Sequence, residues 1–413
     1  MNVLFMTIGK MDDIEEHTIY CDLLRYFRDA GHSVYTISPY EKRTGLQTAY
    51  EEKNGIHMLH VRTGNVTGMV SLIEKGLAQL SIEPIFIKAI KKYYSNVKFD
   101  LVMYSTPPIT FCNAIEYVKR RDNAKTYLLL KDIFPQNAVD IGMMSKSGIK
   151  GHLYKFFRNK EKKLYGLSDY IGCMSPANVE YVKQNNPEID NYRVEVCPNC
   201  IEVVDKSINE EERRSIRKKY DIPLEKRVFV YGGNLGKPQG IDFLIECLHS
   251  QENSKDNYFL IVGDGTEYGK IEEFVKSSNQ NNIRLMKRLP QEDYDTMVGA
   301  CDVGMIFLDH RFTIPNFPSR VLSYMQAKIP VLACTDSNTD IGKIIEEAGF
   351  GSWCESNDVN GFVECVNKIM QIQSVAEKEW NYLNKYYSTR NGYDILKMFH
   401  YYVVSIPCRI ILI

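Results

Sequence analysis

The chain contains no run of 18 apolar residues, the length a membrane-crossing helix needs. Its start, MNVLFMTIGKMDD, lacks the basic-then-apolar pattern of a secretory leader, so the expected location is the cytosol. Eleven cysteines spread over 413 residues do not make a disulfide scaffold. The single C-x-x-C, Cys197-Pro-Asn-Cys200, follows a strand pattern and has no second pair for zinc. It reads as a loop holding two thiols, with redox or metal work as the rarer alternative. No sign of charge dominates, the net being −1, and no G-x-G-x-x-G is present. A phosphate loop of the G-x-x-x-x-G-K-[ST] form is missing too. In the nearest candidate, VYGGNLGKPQG (230–240), Tyr231 stands where the first glycine belongs and Pro238 follows Lys237. His57 and His60, three apart on a strand pattern, point to opposite faces and cannot share a metal. Asp293 and Asp295 form a D-x-D, but in PQEDYDTMVGACD they read as the first turn of a helix, where acidic groups suit the dipole.

What is present is alternation. Strand patterns NVLFMTI, HSVYTIS, GIHMLHV, DLVMYST, TYLLLKD, YIGCMSP and YRVEVCP run through the first half, separated by amphipathic stretches. The second half begins again with RVFVYGG, YFLIVGDG, NIRLMKRL, VGMIFLD, PVLACT and GSWCES. Apolar strands between helices imply parallel sheets covered on both faces, and a chain of this length implies two domains. The fold class expected is α/β: two Rossmann-like, doubly wound domains with a cleft between them. The boundaries expected are 1–200, a charged linker 201–225, a second domain 226–378, and a C-terminal helix and apolar tail 379–413 packing back on the first domain. In such sheets ligands bind at the carboxyl ends of strands. The loop 232–240, the GDG of 263–265 and the KRLP of 287–290 end the first three strands of the second domain. Four glycines with Asn234 and Lys237 suit a backbone that closes on an anion; a packing turn is the plainer alternative.

Six segments taken in order carry a resemblance: LKDIFPQNAVDIG (130–142), SDYIGCMSPANVEYV (168–182), VEVCPN (194–199), YGGNLGKPQGIDFLI (231–245), LIVGDGTEYGKIEEF (260–274) and FPSRVLSYMQAKIPVLA (317–333). Together they resemble the retaining GT-B glycosyltransferases of the group 1, or family 4, type, which include bacterial capsule and O-antigen sugar transferases. The resemblance implies a nucleotide-sugar donor on the C-terminal domain, an acceptor on the N-terminal one, no metal and no separate cofactor. Donor binding is implied for Gly233, Asn234, Lys237, Gln239, Gly240, Gly263, Arg288, Asn316, Ser319, Arg320 and Ser323. Asp132, after the strand TYLLLK, is the implied catalytic carboxylate; a cap on the N–H groups of 134–136 is its alternative.

Two departures from the family stand out. The lysine usual before the last glycine of the loop is Gln239 here, and Lys237 is the nearest replacement. Two glutamates that many members carry correspond to Pro315 and Ser323. In their place stands Asn316-Phe317-Pro318-Ser319-Arg320, a helix start at which Arg320 reads either as a phosphate ligand or as a surface charge. The reaction implied is metal-independent, retaining transfer of a hexosyl unit from a UDP-sugar to a carrier-bound glycan. The alternatives are a nucleotide-sugar 2-epimerase and a non-catalytic sugar-nucleotide-binding partner of an assembly complex. Residues 85–163 hold 16 basic against 6 acidic side chains, too few for a nucleic-acid protein. With the aromatics of IFIKAIKKYY and IKGHLYKFFRNKEKKLYG they suit contact with the inner face of an anionic membrane, or a solvated face over a core.

Overall fold

The computed structural model describes residues 1–66, 72–278 and 281–405. Of the C-terminal helix and apolar tail expected over 379–413, residues 406–413 lie outside the described residues. By backbone contacts the chain forms two compact units. One is Met1–Val139 with Met144–Glu202 and Ser388–Ile413; the other is Val203–Tyr387 with Asp140–Met143.

Unit 1 holds strands β1 (Asn2–Met6), β2 (Ser33–Glu41), β3 (Ala49–Lys53), β4 (Ile56–Thr63), β5 (Leu101–Ser105), β6 (Lys125–Leu130), β7 (Tyr170–Cys173) and β8 (Val194–Val196). Their order in the sheet is β3-β4-β2-β1-β5-β6-β7-β8, and every pair is parallel except β3 with β4. Unit 2 holds β9 (Arg227–Asn234), β10 (Asn257–Asp264), β11 (Ile283–Met286), β12 (Val303–Phe307), β13 (Val331–Thr335) and β14 (Gly351–Glu355). Its order, β11-β10-β9-β12-β13-β14, is the doubly wound order 3-2-1-4-5-6, parallel throughout. The α/β class of two Rossmann-like sheets expected from the sequence is borne out. All thirteen strand patterns became strands. The one not foreseen, β3, is an edge strand with four of its five residues exposed, so it has no buried apolar face to read.

The cores follow from the strand residues. Phe229, Tyr231, Phe259, Ile261, Met305, Phe307 and Leu332 are buried on one face of the second sheet. Val3, Phe5, Met58, Met103 and Leu129 are buried in the first. The ten described cysteines are all free and buried, Cys197 and Cys200 among them.

The charged segment read as a linker is part of unit 2. Helix Glu210–Lys219 starts on a capping box in which Asn209 and Glu212 bond each other's backbone. Its Arg217 is buried, donating to the Ala300, Pro223, Leu224 and Lys226 carbonyls and, at 2.7 Å, to the Asp302 carboxylate. One guanidinium that satisfies five acceptors fixes this helix to the second sheet. The C-terminal segment divides as well. Helix Val375–Tyr386 goes with unit 2, and helix Thr389–Ser405 packs on Ile19–Asp29 in unit 1, where His32 and Tyr393 hydrogen-bond at 2.9 Å.

In the basic segment the two aromatic stretches part company. In helix Leu72–Tyr93 and just after it, Phe86, Ile90 and Tyr94 are buried, so this stretch faces the core and not a bilayer. In helix Gly148–Leu167 the outer face is open: Leu153 is 50% and Phe156 42% exposed, beside exposed Lys155, Lys162 and Lys163. Arg158, Lys162 and Lys163 are paired, with Glu161 at 2.6 Å, Glu188 at 3.0 Å and Glu116 at 3.2 Å, which leaves Lys155 as the exposed cation of that face with no ion pair among the described residues. No described helix is long and apolar enough to cross a membrane.

Candidate functional site

In unit 2 the strand order reverses between β9 and β12, the switch point at which doubly wound sheets open a crevice. The loop 232–240 leaves β9 there. Gly233 takes φ +128°, a conformation that disfavours a side chain, and is exposed. Gly240 takes φ +58°, and a Cβ on it would fall 3.2 Å from the Asp309 Cα, so the loop presses on the segment after β12. Asn234 and Gln239 shape the loop from within. The Asn234 amide donates to Gln239 Oε1 at 2.8 Å, and Gly236 N–H donates to the same oxygen at 3.2 Å. One of the two Asn234 N–H donors is thus used inside the loop, and the other is left for a ligand oxygen. Gly263 is buried, and a Cβ there would fall 2.0 Å from the Gly233 carbonyl oxygen, so a glycine is needed here for two strand ends to meet.

The cations stand differently. Lys237 and Arg288 are exposed, with no ion pair among the described residues. Arg320 opens helix Arg320–Ala327 and is half-buried. Its guanidinium carbon lies 4.4 Å from the centre of the Tyr231 ring, and its Nη2 lies 3.4 Å from the point a Gly233 Cβ would occupy. No carboxylate pairs with it among the described residues, and its Nη1 is shielded from solvent without a hydrogen-bond partner. The alternative of a surface charge does not describe this residue. An unneutralised guanidinium held against a ring and a glycine is costly unless an anion completes it.

Of the remaining residues, Ser319 is exposed at the N-cap position but makes no cap bond there, and Ser323 is half-buried on the first turn. Asn316 is tied into its loop: its N–H donates to Thr339 Oγ1 at 3.0 Å and its amide to the Ile314 carbonyl at 3.4 Å. Thr339 Oγ1 in turn donates to Asp336, which also accepts the 338 and 339 N–H groups. The geometry thus brings Arg320 and Gly233 together and leaves Asn316 as scaffold.

The D-x-D pair is committed elsewhere. Asp293 pairs with Lys219 at 3.1 Å and Asp295 with Lys206 at 2.6 Å. His57 and His60 likewise have separate partners, Tyr50 at 2.9 Å for one, Ser38 at 3.1 Å and Glu51 at 3.3 Å for the other. One described group has ligand atoms close enough for a metal: His17, Asp22 and Glu202. Arg25 already sits among them, 2.6 Å from Asp22 and 3.2 Å from Glu202, and supplies the positive charge.

Unit 1 carries Asp132 just past the carboxyl end of β6. The Lys131 and Asp132 N–H groups donate to Thr106 Oγ1 at 3.0 and 3.2 Å, which fixes the turn to the end of β5. The carboxylate makes no cap on 134–136. Burial alone pushes it up to about 6, and burial with the nearby Asp132 charge pushes the Tyr20 phenol up to about 12. A desolvated carboxylate with no hydrogen-bond or ion-pair partner among the described residues is suited to accept a proton or orient a hydroxyl.

Sequence reasoning missed the three tyrosines around Arg320. Tyr231, Tyr294 and Tyr324 stand in three different strand and helix segments and carry no shared spacing. The available signal was the small residues that make room for them: a Cβ on Gly232 would fall 1.8 Å from the Tyr294 hydroxyl, and one on Gly304 2.3 Å from the Tyr324 ring.

Comparison with known proteins agrees with this fold. Residues 212–386 match the family described as glycosyl transferases group 1. The sequence is 26% identical over 311 residues, 73% of each chain, to the probable glycosyltransferase WbjE of Pseudomonas aeruginosa. It is 20% identical over 280 residues, 67% of each chain, to the putative colanic acid biosynthesis glycosyl transferase WcaI of Escherichia coli. In fold it is similar to sucrose-phosphate synthase from Thermosynechococcus elongatus, with a TM-score of 0.76 at 13% identity over 98% of this chain and 99% of that one. It is also similar to Anabaena HepE, solved with UDP and glucose, with a TM-score of 0.68 at 15% identity over 97% and 99%. These structures share the GT-B fold.

Proposed function

With residues 212–386 belonging to the glycosyl transferases group 1, we propose that this glycosyltransferase moves a hexosyl unit, with retention, from a UDP-sugar to a carrier-bound glycan in polysaccharide synthesis. The observation that carries the donor half is Arg320, a guanidinium with no carboxylate partner, held at the exposed Gly233 at the switch point of the second sheet. A diphosphate is the anion that such a site completes, and the negative charge that develops on the leaving nucleotide is what the cation stabilises in the transition state. Lys237 adds a second cation on the same loop. UDP as the nucleotide rests on the similarity to HepE, solved with UDP and glucose. The relatives WbjE and WcaI support a role in polysaccharide synthesis.

In this reading Asp132 works on the acceptor side, where an ionised carboxylate aligns the attacking hydroxyl. The donor phosphate takes the acceptor proton on the face the leaving group vacates. No resident metal takes part: both carboxylates of the D-x-D are held by lysines. The open face of helix Gly148–Leu167, with Leu153 and Phe156 among lysines, is the surface through which the enzyme meets an anionic membrane carrying the acceptor.

The test is a screen of nucleotide sugars by thermal shift, followed by transfer to a lipid-linked acceptor with the new anomeric configuration read by NMR. Stabilisation by a UDP-sugar and a product of unchanged configuration are expected. An inverted product, or release of a 2-epimerised free sugar without acceptor, would overturn the reading.

A further inference from the structure

The residue at the centre of the D-x-D, Tyr294, has an environment that neither its helix nor its core position explains. It lies on helix Gln291–Gly299, which packs against Arg320–Ala327. Its hydroxyl is shielded from solvent and makes no hydrogen bond of normal length among the described residues, the Tyr324 hydroxyl being a neighbour that interacts with it at longer range. That oxygen sits against Gly232, at the spot where any side chain there would be. The next residue, Gly233, is the one against which the Arg320 guanidinium rests, and the Arg320 Nη1 is the other shielded polar atom of the region without a partner. Two shielded polar atoms that lack a hydrogen bond of normal length thus lie beside two consecutive glycines of one loop.

The neighbouring tyrosines differ. Tyr324 donates its hydroxyl to the Met305 carbonyl at 3.0 Å, and Tyr231 to the Asn234 carbonyl at 2.8 Å. Each therefore has a structural reason for its oxygen, and Tyr231 adds its ring to the guanidinium at 4.4 Å. The acidic residues on either side of Tyr294 turn away to lysines, so nothing on that helix neutralises Arg320.

We propose that Tyr294 is a positioning residue for the anion site: its ring fills the space under Gly232, holds the glycine loop over Arg320, and keeps the guanidinium aimed at a diphosphate. This rests on the donor reading above. The low-dielectric wall it completes also strengthens the attraction between the guanidinium and an entering anion.

The experiment is a double-variant cycle read by calorimetric titration of UDP into the full chain. Tyr294→Leu should weaken UDP binding roughly tenfold or more, as loss of a charge-assisted contact does. Tyr294→Phe, which keeps the ring, should restore binding. In an Arg320→Ala background Tyr294→Leu should cost nothing further, because it acts through that arginine. An unchanged affinity for Tyr294→Leu, or losses that simply add in the double variant, would overturn the proposal while leaving the donor reading intact. No loss of UDP binding on Arg320→Ala alone would instead overturn the donor reading. Should Tyr294→Leu fail to fold, Gly232→Ala, which pushes on the same hydroxyl, takes its place: unchanged UDP affinity in that variant would count equally against the proposal.

Discussion

Replacing Asp132 by asparagine should make the protein more stable and less active at the same time. The carboxyl is raised from 3.8 to about 6 by burial, so the fold disfavours its ionised form. Each pKa unit is worth about 1.36 kcal/mol, so at pH 8 the charged group costs on the order of 2–3 kcal/mol. The sign fixes the pH window. The penalty is absent below 3.8, grows between 3.8 and about 6, and is complete above that. Asp132→Asn should therefore raise the melting temperature of the unit that holds it by several degrees at pH 8, at roughly 2–4 °C per kcal/mol. At pH 4 the gain should shrink to less than about 1 kcal/mol. Both scans are read by calorimetry. The same substitution should abolish most transfer, and the wild-type rate should fall as pH drops through about 6. An asparagine variant no more stable than wild type at pH 8 would refute the burial argument. A variant that is stabilised yet fully active would show that the strain at Asp132 serves no acceptor.

Three further outcomes are expected. Gly233→Ala, which adds a Cβ at φ +128° within 3.4 Å of Arg320 Nη2, should cost donor affinity as well as stability, measured by UDP titration beside thermal unfolding. Lys237→Ala should lower donor affinity by about 1.5–3 kcal/mol, and Arg320→Ala should damage turnover more than Ser323→Ala does. Changing Leu153 and Phe156 to serine should release the protein from acidic liposomes at low salt. Binding that survives both changes would move the membrane contact to another surface.

Fold was legible because apolar strands and the turns that end them are local facts. The thirteen strands read from RVFVYGG and its like are burial patterns first and secondary structure second. The edge strand β3 escaped because it is held by main-chain pairing with β4 and not by a buried face. The site was legible only in part. Glycine spacing marked the loop, yet neither the bond from Asn234 to Gln239 that shapes it nor the close approach of Gly263 to the Gly233 carbonyl can be read from spacing. Arg320 was visible as a charge, but the absence of a counter-ion is a property of three-dimensional neighbours. The tyrosines that define it come from three separate segments, and no spacing in the sequence joins them. Likewise Arg217 read as one cation in a charged linker, whereas its five acceptors make it a fixture of the second unit.

The central claim is that Arg320 waits for a diphosphate. Calorimetric titration of UDP into the wild type, Arg320→Lys and Arg320→Ala tests it most directly. The account predicts clear binding to the wild type, partial retention with lysine, and a loss of roughly tenfold or more with alanine. Equal affinity in all three proteins would contradict it.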